Sequence, residues 1–185
     1  MKLSPHNIVV DIETLATSPD AVILSIGAAA VDLKDMEVID NFYLTIRTKE
    51  QLAMGRVEDK RTREWWDKQA GNIKEETWAE EWLLKDALVQ LRLWMKFTKG
   101  VDGAISVWGN GAAFDNTILA HAYNMCDVPM AWHYRYDRCF RTVKAMFPEV
   151  VHRPQDPATK HHALHDAVYE AQCLIRVIKY LEDRI

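Results

Sequence analysis

Two acids stand one residue apart in an otherwise apolar run, Asn7-Ile8-Val9-Val10-Asp11-Ile12-Glu13-Thr14. In a strand, residues two apart project to one face, so Asp11 and Glu13 point together while Val10 and Ile12 face the other way. Paired carboxylates at the end of a buried strand repel each other and are costly to desolvate. A cation between them relieves both penalties, and a strand end turned into solvent avoids them. The chemistry open to such a pair is cation binding, and it calls for partners elsewhere in the chain.

Two further stretches offer them. Asp115 follows the short apolar strand Ala104-Ile105-Ser106-Val107-Trp108 and the turn Gly109-Asn110-Gly111. Strand-to-helix junctions of this kind line the ligand crevice of open α/β sheets, although an Asp there also caps helices. Asp166 lies in His161-His162-Ala163-Leu164-His165-Asp166-Ala167, at the edge of the buried face of the last helix. His161 would be about 140° away on a continuous helix, so the two can meet only if His161 sits in the preceding loop. His162 and His165 read as a solvated helix start.

The elements that must position these groups follow from hydrophobic periodicity. After the first strand, Ala21 to Val31 reads as a strand buried on both faces, with close backbone approach at Gly27. Val38 to Ile46 gives a third strand, and short loops join all three as an antiparallel meander. Thr62 to Gln69 forms a short helix with Thr62 as N-cap. Its adjacent Trp65 and Trp66 cannot both face the core. Glu76 to Phe97 reads as one long helix ended by Lys99-Gly100. Ala104 to Trp108 can then lie parallel in the sheet, and Ala113 to Met125 follows as a helix. Trp132 to Tyr136 is expected as a fifth strand, Asp137 to Met146 as a helix, Glu149 to Lys160 as a loop, and His162 to Arg184 as the last helix.

Composition sets the outer bounds. A chain of 185 residues, 49% of them hydrophobic, suits a single domain over 1–185 with a sizeable core. No apolar run is long enough to span a membrane, and the first residues lack a signal-peptide core, so the cytoplasm is the expected location. The three cysteines fit neither a zinc site nor a disulfide framework and are expected to be reduced. A net charge of -4 argues against a general nucleic-acid-coating protein but not against a nucleic-acid enzyme whose clustered acids are neutralised by cations.

Taken in order, Asp11-x-Glu13, Asn110-x-x-x-Phe114-Asp115 and His161-x-Ala163-Leu164-x-Asp166-Ala167 resemble the three exonuclease motifs of the DEDDh 3'-5' exonucleases. The resemblance runs from about Ile8 to the final helix. Trp65-Trp66 and the compact length look most like the small bacterial and phage branch, which includes exodeoxyribonuclease VIII-like and mycobacterial exoribonuclease-like proteins. It implies an α/β, RNase H-like fold: a mixed five-stranded sheet, an antiparallel meander followed by parallel strands, with helices on both faces. It also implies that Asp11, Glu13, Asp115 and Asp166 hold two divalent cations, Mg²⁺ or Mn²⁺, and that His161 is the general base. Two metals about 3.5–4 Å apart can serve both the attacking and the leaving oxygen of a phosphodiester. The expected reaction releases nucleoside 5'-monophosphates from the 3' end of DNA or RNA.

The expected partner is a nucleic acid with a single-stranded 3' end or 3' overhang. Thr14, Leu15, Trp108, Asn110 and Phe114 adjoin the motifs and are candidate substrate contacts. Trp65 or Trp66 is a candidate stacking platform. Arg138 and Arg141, with Arg135 and Lys144, form one candidate phosphate patch, and Arg153, Lys160 and His162 another. Two other readings stay open: an RNase H-like endonuclease, and a catalytically inert nucleic-acid-binding or partner-docking module on the same fold. Trp-rich helices could supply a homodimer interface, but no residue in the sequence shows one.

Overall fold

The computed structural model describes residues 6–69, 71–98, 104–151, 155–156 and 159–184. Five strands form one sheet in the order β3-β2-β1-β4-β5. β1 (His6–Thr14), β2 (Ile23–Asp32) and β3 (Glu37–Thr45) are joined by short connections and pair antiparallel, giving the expected meander. β4 (Ile105–Gly109) lies parallel to β1, and β5 (Asp137–Cys139) parallel to β4.

Alternation along β1 divides the molecule into layers. Ile8, Val10 and Ile12 pack on one face with Leu88 and Leu91 of α4 (Leu84–Thr98) and Ile118 and Leu119 of α5 (Asp115–Met125). Val9 points to the opposite face, where Ala167, Ala171, Leu174 and Ile178 of α8 (Ala163–Glu182) cover it. Asp11 and Glu13 share the parity of Val9 and so lie on the α8 side. Asp11 pairs across the ladder with Gly27 of β2. A Cβ built on Gly27 would stand 2.1 Å from the Ala163 carbonyl carbon, so only glycine lets the first turn of α8 rest on the sheet.

Several local expectations are corrected. The long helix is interrupted: α3 (Gly71–Thr77) ends before Trp78, and α4 starts only at Leu84. Between them, the Trp82 N–H donates to the Thr45 carbonyl (3.0 Å), and the Arg47 N–H donates to the Trp82 carbonyl (2.9 Å). The backbone there extends the end of the sheet, and tertiary pairing overrides a continuous apolar period. The fifth strand begins after, not within, Trp132 to Tyr136. Trp132 is buried against Tyr123 and donates its indole N–H to Asp137, and a 3₁₀ turn (Tyr134–Tyr136) precedes β5.

The helix expected from Thr62 is α2 (Lys60–Trp66), capped by Asp59, whose side chain accepts from the N–H groups of Arg61 and Thr62. The helix expected from Asp137 is α6, Phe140–Met146, because β5 takes Asp137 to Cys139. Two further short helices form: α1 (Thr48–Ala53), and α7 (Pro148–Val151), which takes the start of the stretch Glu149 to Lys160 expected as a loop. The helix-ending Lys99-Gly100 lies outside the described residues.

Candidate active site

The end of β1, the start of α5 and the start of α8 converge on one cavity lined by Asp11, Glu13, Asp115, Asp166 and His161. Asp115 is held from two sides. Its Oδ1 accepts the Ile12 N–H at 3.3 Å and its Oδ2 accepts the Gly111 N–H at 3.1 Å. Both donors precede α5, so the carboxylate joins the turn to β1 instead of capping its own helix.

His161 stands before the helix, in the left-handed region at φ 67°, with His162 at the N-cap position. This is the loop placement that lets it meet Asp166. Its backbone N–H donates to Asp166 Oδ2 at 3.0 Å, and Gln155 donates to Asp166 Oδ1. Ligand atoms of Glu13, His161 and Asp166 lie within 4.8 Å of one another. The edge of the Trp65–His161 ring pair closes this side, with ring centroids 4.8 Å apart.

Electrostatically the cluster is frustrated. Burial first, then the charges of Asp115, Glu13, Glu170 and Asp166, push the Asp11 carboxyl well above the usual carboxylate range. Burial and then Asp166 and Asp115 do the same to Glu13. Asp115 is pushed up to about 6 by burial, against the backbone N–H groups of Gly111, Ile12 and Asp115 itself and the charge of Arg141. His161 is lowered by burial, with Asp166 opposing. Acids that suppress one another's ionisation are relieved by a cation among them. A set of carboxylate oxygens with one imidazole fits hard divalent ions.

Of the expected substrate contacts, Thr14, Trp65, Trp66, Asn110, Phe114 and Arg141 line the cavity. Trp65 is 38% exposed and is the member of the tryptophan pair open to solvent. Trp66 is core: it packs with Leu15, Val22 and Leu24, and its indole donates to the Thr14 carbonyl at 3.0 Å. Leu15 is likewise fully buried, and Trp108 packs under α8 with its indole on Asn7 Oδ1. Leu15 and Trp108 support the site from behind, and Trp66 reaches the cavity wall with only 1% of its surface exposed. Arg138 is spent on the carbonyls of Arg135 and Asp137.

Lys144 and Lys160 line the cavity beside Arg141. His162 does not join them: it is buried between Tyr43 and His165, with Glu76 on its Nε2. Arg153 lies outside the described residues. Sequence reasoning missed Gln155 and, above all, Glu170, which lines the same cavity one helical turn after Asp166. The i, i+4 spacing of two acids beside the apolar stripe was its only signal.

The family model described as the 3'-5' exoribonuclease Rv2179c-like domain matches residues 6–178. A search of curated proteins gives no match. Among solved structures, the fold is similar to the nuclease domain of 3'hExo, a DEDDh family member bound to rAMP. There the TM-score is 0.68 at 14% identity, over 96% of this chain and 93% of that one. It is also similar to E. coli exonuclease I in complex with a dT13 oligonucleotide, with TM-score 0.66 at 16% identity over 97% of this chain. The chain spans only 42% of that protein. On the family match, on the sheet and on the convergence of its three motifs, the chain belongs to the Rv2179c-like 3'-5' exoribonuclease domain family and is a 3'-5' exonuclease with an RNase H-like fold.

Proposed function

We propose that the chain removes nucleoside 5'-monophosphates from the 3' end of a single-stranded nucleic acid or 3' overhang. Asp11, Glu13, Asp115 and Asp166 hold two divalent cations, Mg²⁺ or Mn²⁺, and His161 is the general base. The observation that carries this reading is the meeting of the four carboxylates with His161, tied through its own backbone to Asp166. Cations bound there would neutralise charge on the scissile phosphate and make water a better nucleophile.

The protein's own groups do the rest. Burial keeps the His161 imidazole below its ordinary titration range, so near pH 7 it is neutral and able to accept the proton of the attacking water. Water adds to phosphorus in line with the 3' oxygen that leaves, and the phosphate stays on the released nucleotide. Trp65 offers an exposed ring to the terminal base, while Arg141, Lys144 and Lys160 supply positive charge for the backbone.

RNA is the favoured substrate, on the family description and on the rAMP bound to the 3'hExo domain. We propose the cytoplasm as the chain's location, a reading that the free Cys126, Cys139 and Cys173 support. The test is incubation of 5'-labelled single-stranded RNA and DNA with Mg²⁺ or Mn²⁺, then product sizing. A ladder shortening from the 3' end, abolished by chelator, is expected. Internal cuts would overturn the exonuclease reading, and a DNA ladder without an RNA one would overturn the substrate.

A further inference from the structure

Glu170 brings a fifth carboxylate to the cluster, and the reaction above leaves it unused. It follows Asp166 by four residues on α8, so both project from one side of the helix. Its side chain lines the cavity shared by Asp11, Asp115 and Asp166, yet the residue is only 4% exposed. Its Oε2 has no hydrogen-bond partner. Glutamate is almost never buried to this degree without a partner, and an unsatisfied buried carboxylate is costly.

Packing does not account for it. Ala167, Ala171 and Leu174 already seal α8 against the sheet. Ion pairing does not either: Arg141 and Lys144 attract Glu170, but among the described residues neither is in ion-pair contact with it. Its strongest electrostatic neighbour is Asp115, another acid. Among the described residues no side chain forms an ion pair with either Asp115 or Glu170.

We propose that Glu170 belongs to the cation site as a positioning residue, its free Oε2 supporting the cation held by Asp115 and Asp11 from just outside its direct ligands. This rests on the cation-binding reading above. It makes the site a five-carboxylate one, with affinity for the cation next to Asp115 set in part by a residue that none of the three motifs contains.

The test is Mn²⁺ binding to the full chain, followed by the electron paramagnetic resonance signal of free Mn²⁺ and by calorimetric titration. Wild type, Glu170→Gln, Glu170→Asp and Asp115→Asn are compared, each with its melting temperature. Glu170→Gln, of equal size but uncharged, is expected to weaken Mn²⁺ binding about 10–100-fold, as loss of an outer-shell partner does. Glu170→Asp should restore part of the affinity. In Glu170→Gln the Mg²⁺ concentration for half-maximal rate should rise, with kcat recovering at saturating Mg²⁺.

Wild-type Mn²⁺ affinity in Glu170→Gln would overturn the proposal, including the case where only its melting temperature changes. The cation reading would survive that result if Asp115→Asn still lost binding. A wild-type chain that binds no Mn²⁺ would overturn both.

Discussion

The His161 backbone N–H donates to Asp166 Oδ2 at 3.0 Å, so one bond joins the proposed base to a carboxylate of the cluster. That bond uses no His161 side-chain atom and survives truncation. His161→Ala should therefore keep Asp166 in place and still bind Mn²⁺, while losing roughly 10²–10⁴-fold in rate, the usual worth of a general base. Asp166→Asn should lose hydrolysis outright with the fold retained. Single-turnover rates and Mn²⁺ titration on both variants check this, and a wild-type rate in His161→Ala would move the base elsewhere.

The two adjacent tryptophans should separate cleanly in experiment. Trp65 is open to the cavity and Trp66 is sealed in the core. Trp65→Ala is expected to raise KM by an amount worth about 1–3 kcal/mol, the range for one base on one ring, with little change in melting temperature. Trp66→Ala should cost about 3–5 kcal/mol of stability, as for other buried aromatics. Denaturant unfolding beside steady-state kinetics distinguishes them; equal effects on KM would remove Trp65 from the stacking role.

Without cations the acid cluster should make the protein less stable as pH rises. Asp11, Glu13, Asp115 and Glu170 all have folded values raised above those of an unfolded chain, with Asp115 at about 6. The folded state thus binds more protons than the unfolded state from about pH 4 upward, and stability falls across that window. His161 and His162, lowered by burial, act oppositely as pH approaches about 6.5, but they are two groups against four. In chelator, melting temperature should drop between pH 5 and 7.5, and Mn²⁺ should abolish the drop. A chelated protein that melts higher at pH 7.5 than at pH 5 would contradict the cluster.

Positive charge reaches the cavity from Arg141, Lys144 and Lys160. KM should rise with ionic strength, because phosphate contacts release counterions. Arg141→Ala should raise KM and flatten that dependence, whereas Arg138→Ala, whose guanidinium serves backbone carbonyls, should change neither much. A salt-independent KM would take the patch out of substrate binding.

What the sequence made legible was local. Alternation along β1 placed Asp11 and Glu13 on one face, and the helical period of the last segment put Asp166 beside a buried stripe. The angle between His161 and Asp166 alone required His161 to leave the helix, and it does so at φ 67°. What stayed hidden depends on distant partners. Nothing near Trp82 announces that its backbone will pair with Thr45 and Arg47 and break a helix whose apolar period runs on. Trp108 and Leu15 adjoin motif residues in sequence, but α8 covers Trp108, and Trp66 and Ile73 bury Leu15 beyond the end of β1. Glu170 looks like one more polar residue at the edge of a stripe until α8 is laid across the sheet.

Gly27 sits opposite Asp11 in the ladder and directly beneath the first turn of α8. The strand acids and the helix acid are thus kept apart by the thickness of two bare backbones in contact. A single methyl group at that position would act as a shim, lifting Asp166 away from Asp11 and Glu13 while the rest of the sheet stayed paired. The separation of the carboxylates across the sheet and helix is therefore gauged by an atom the chain leaves out.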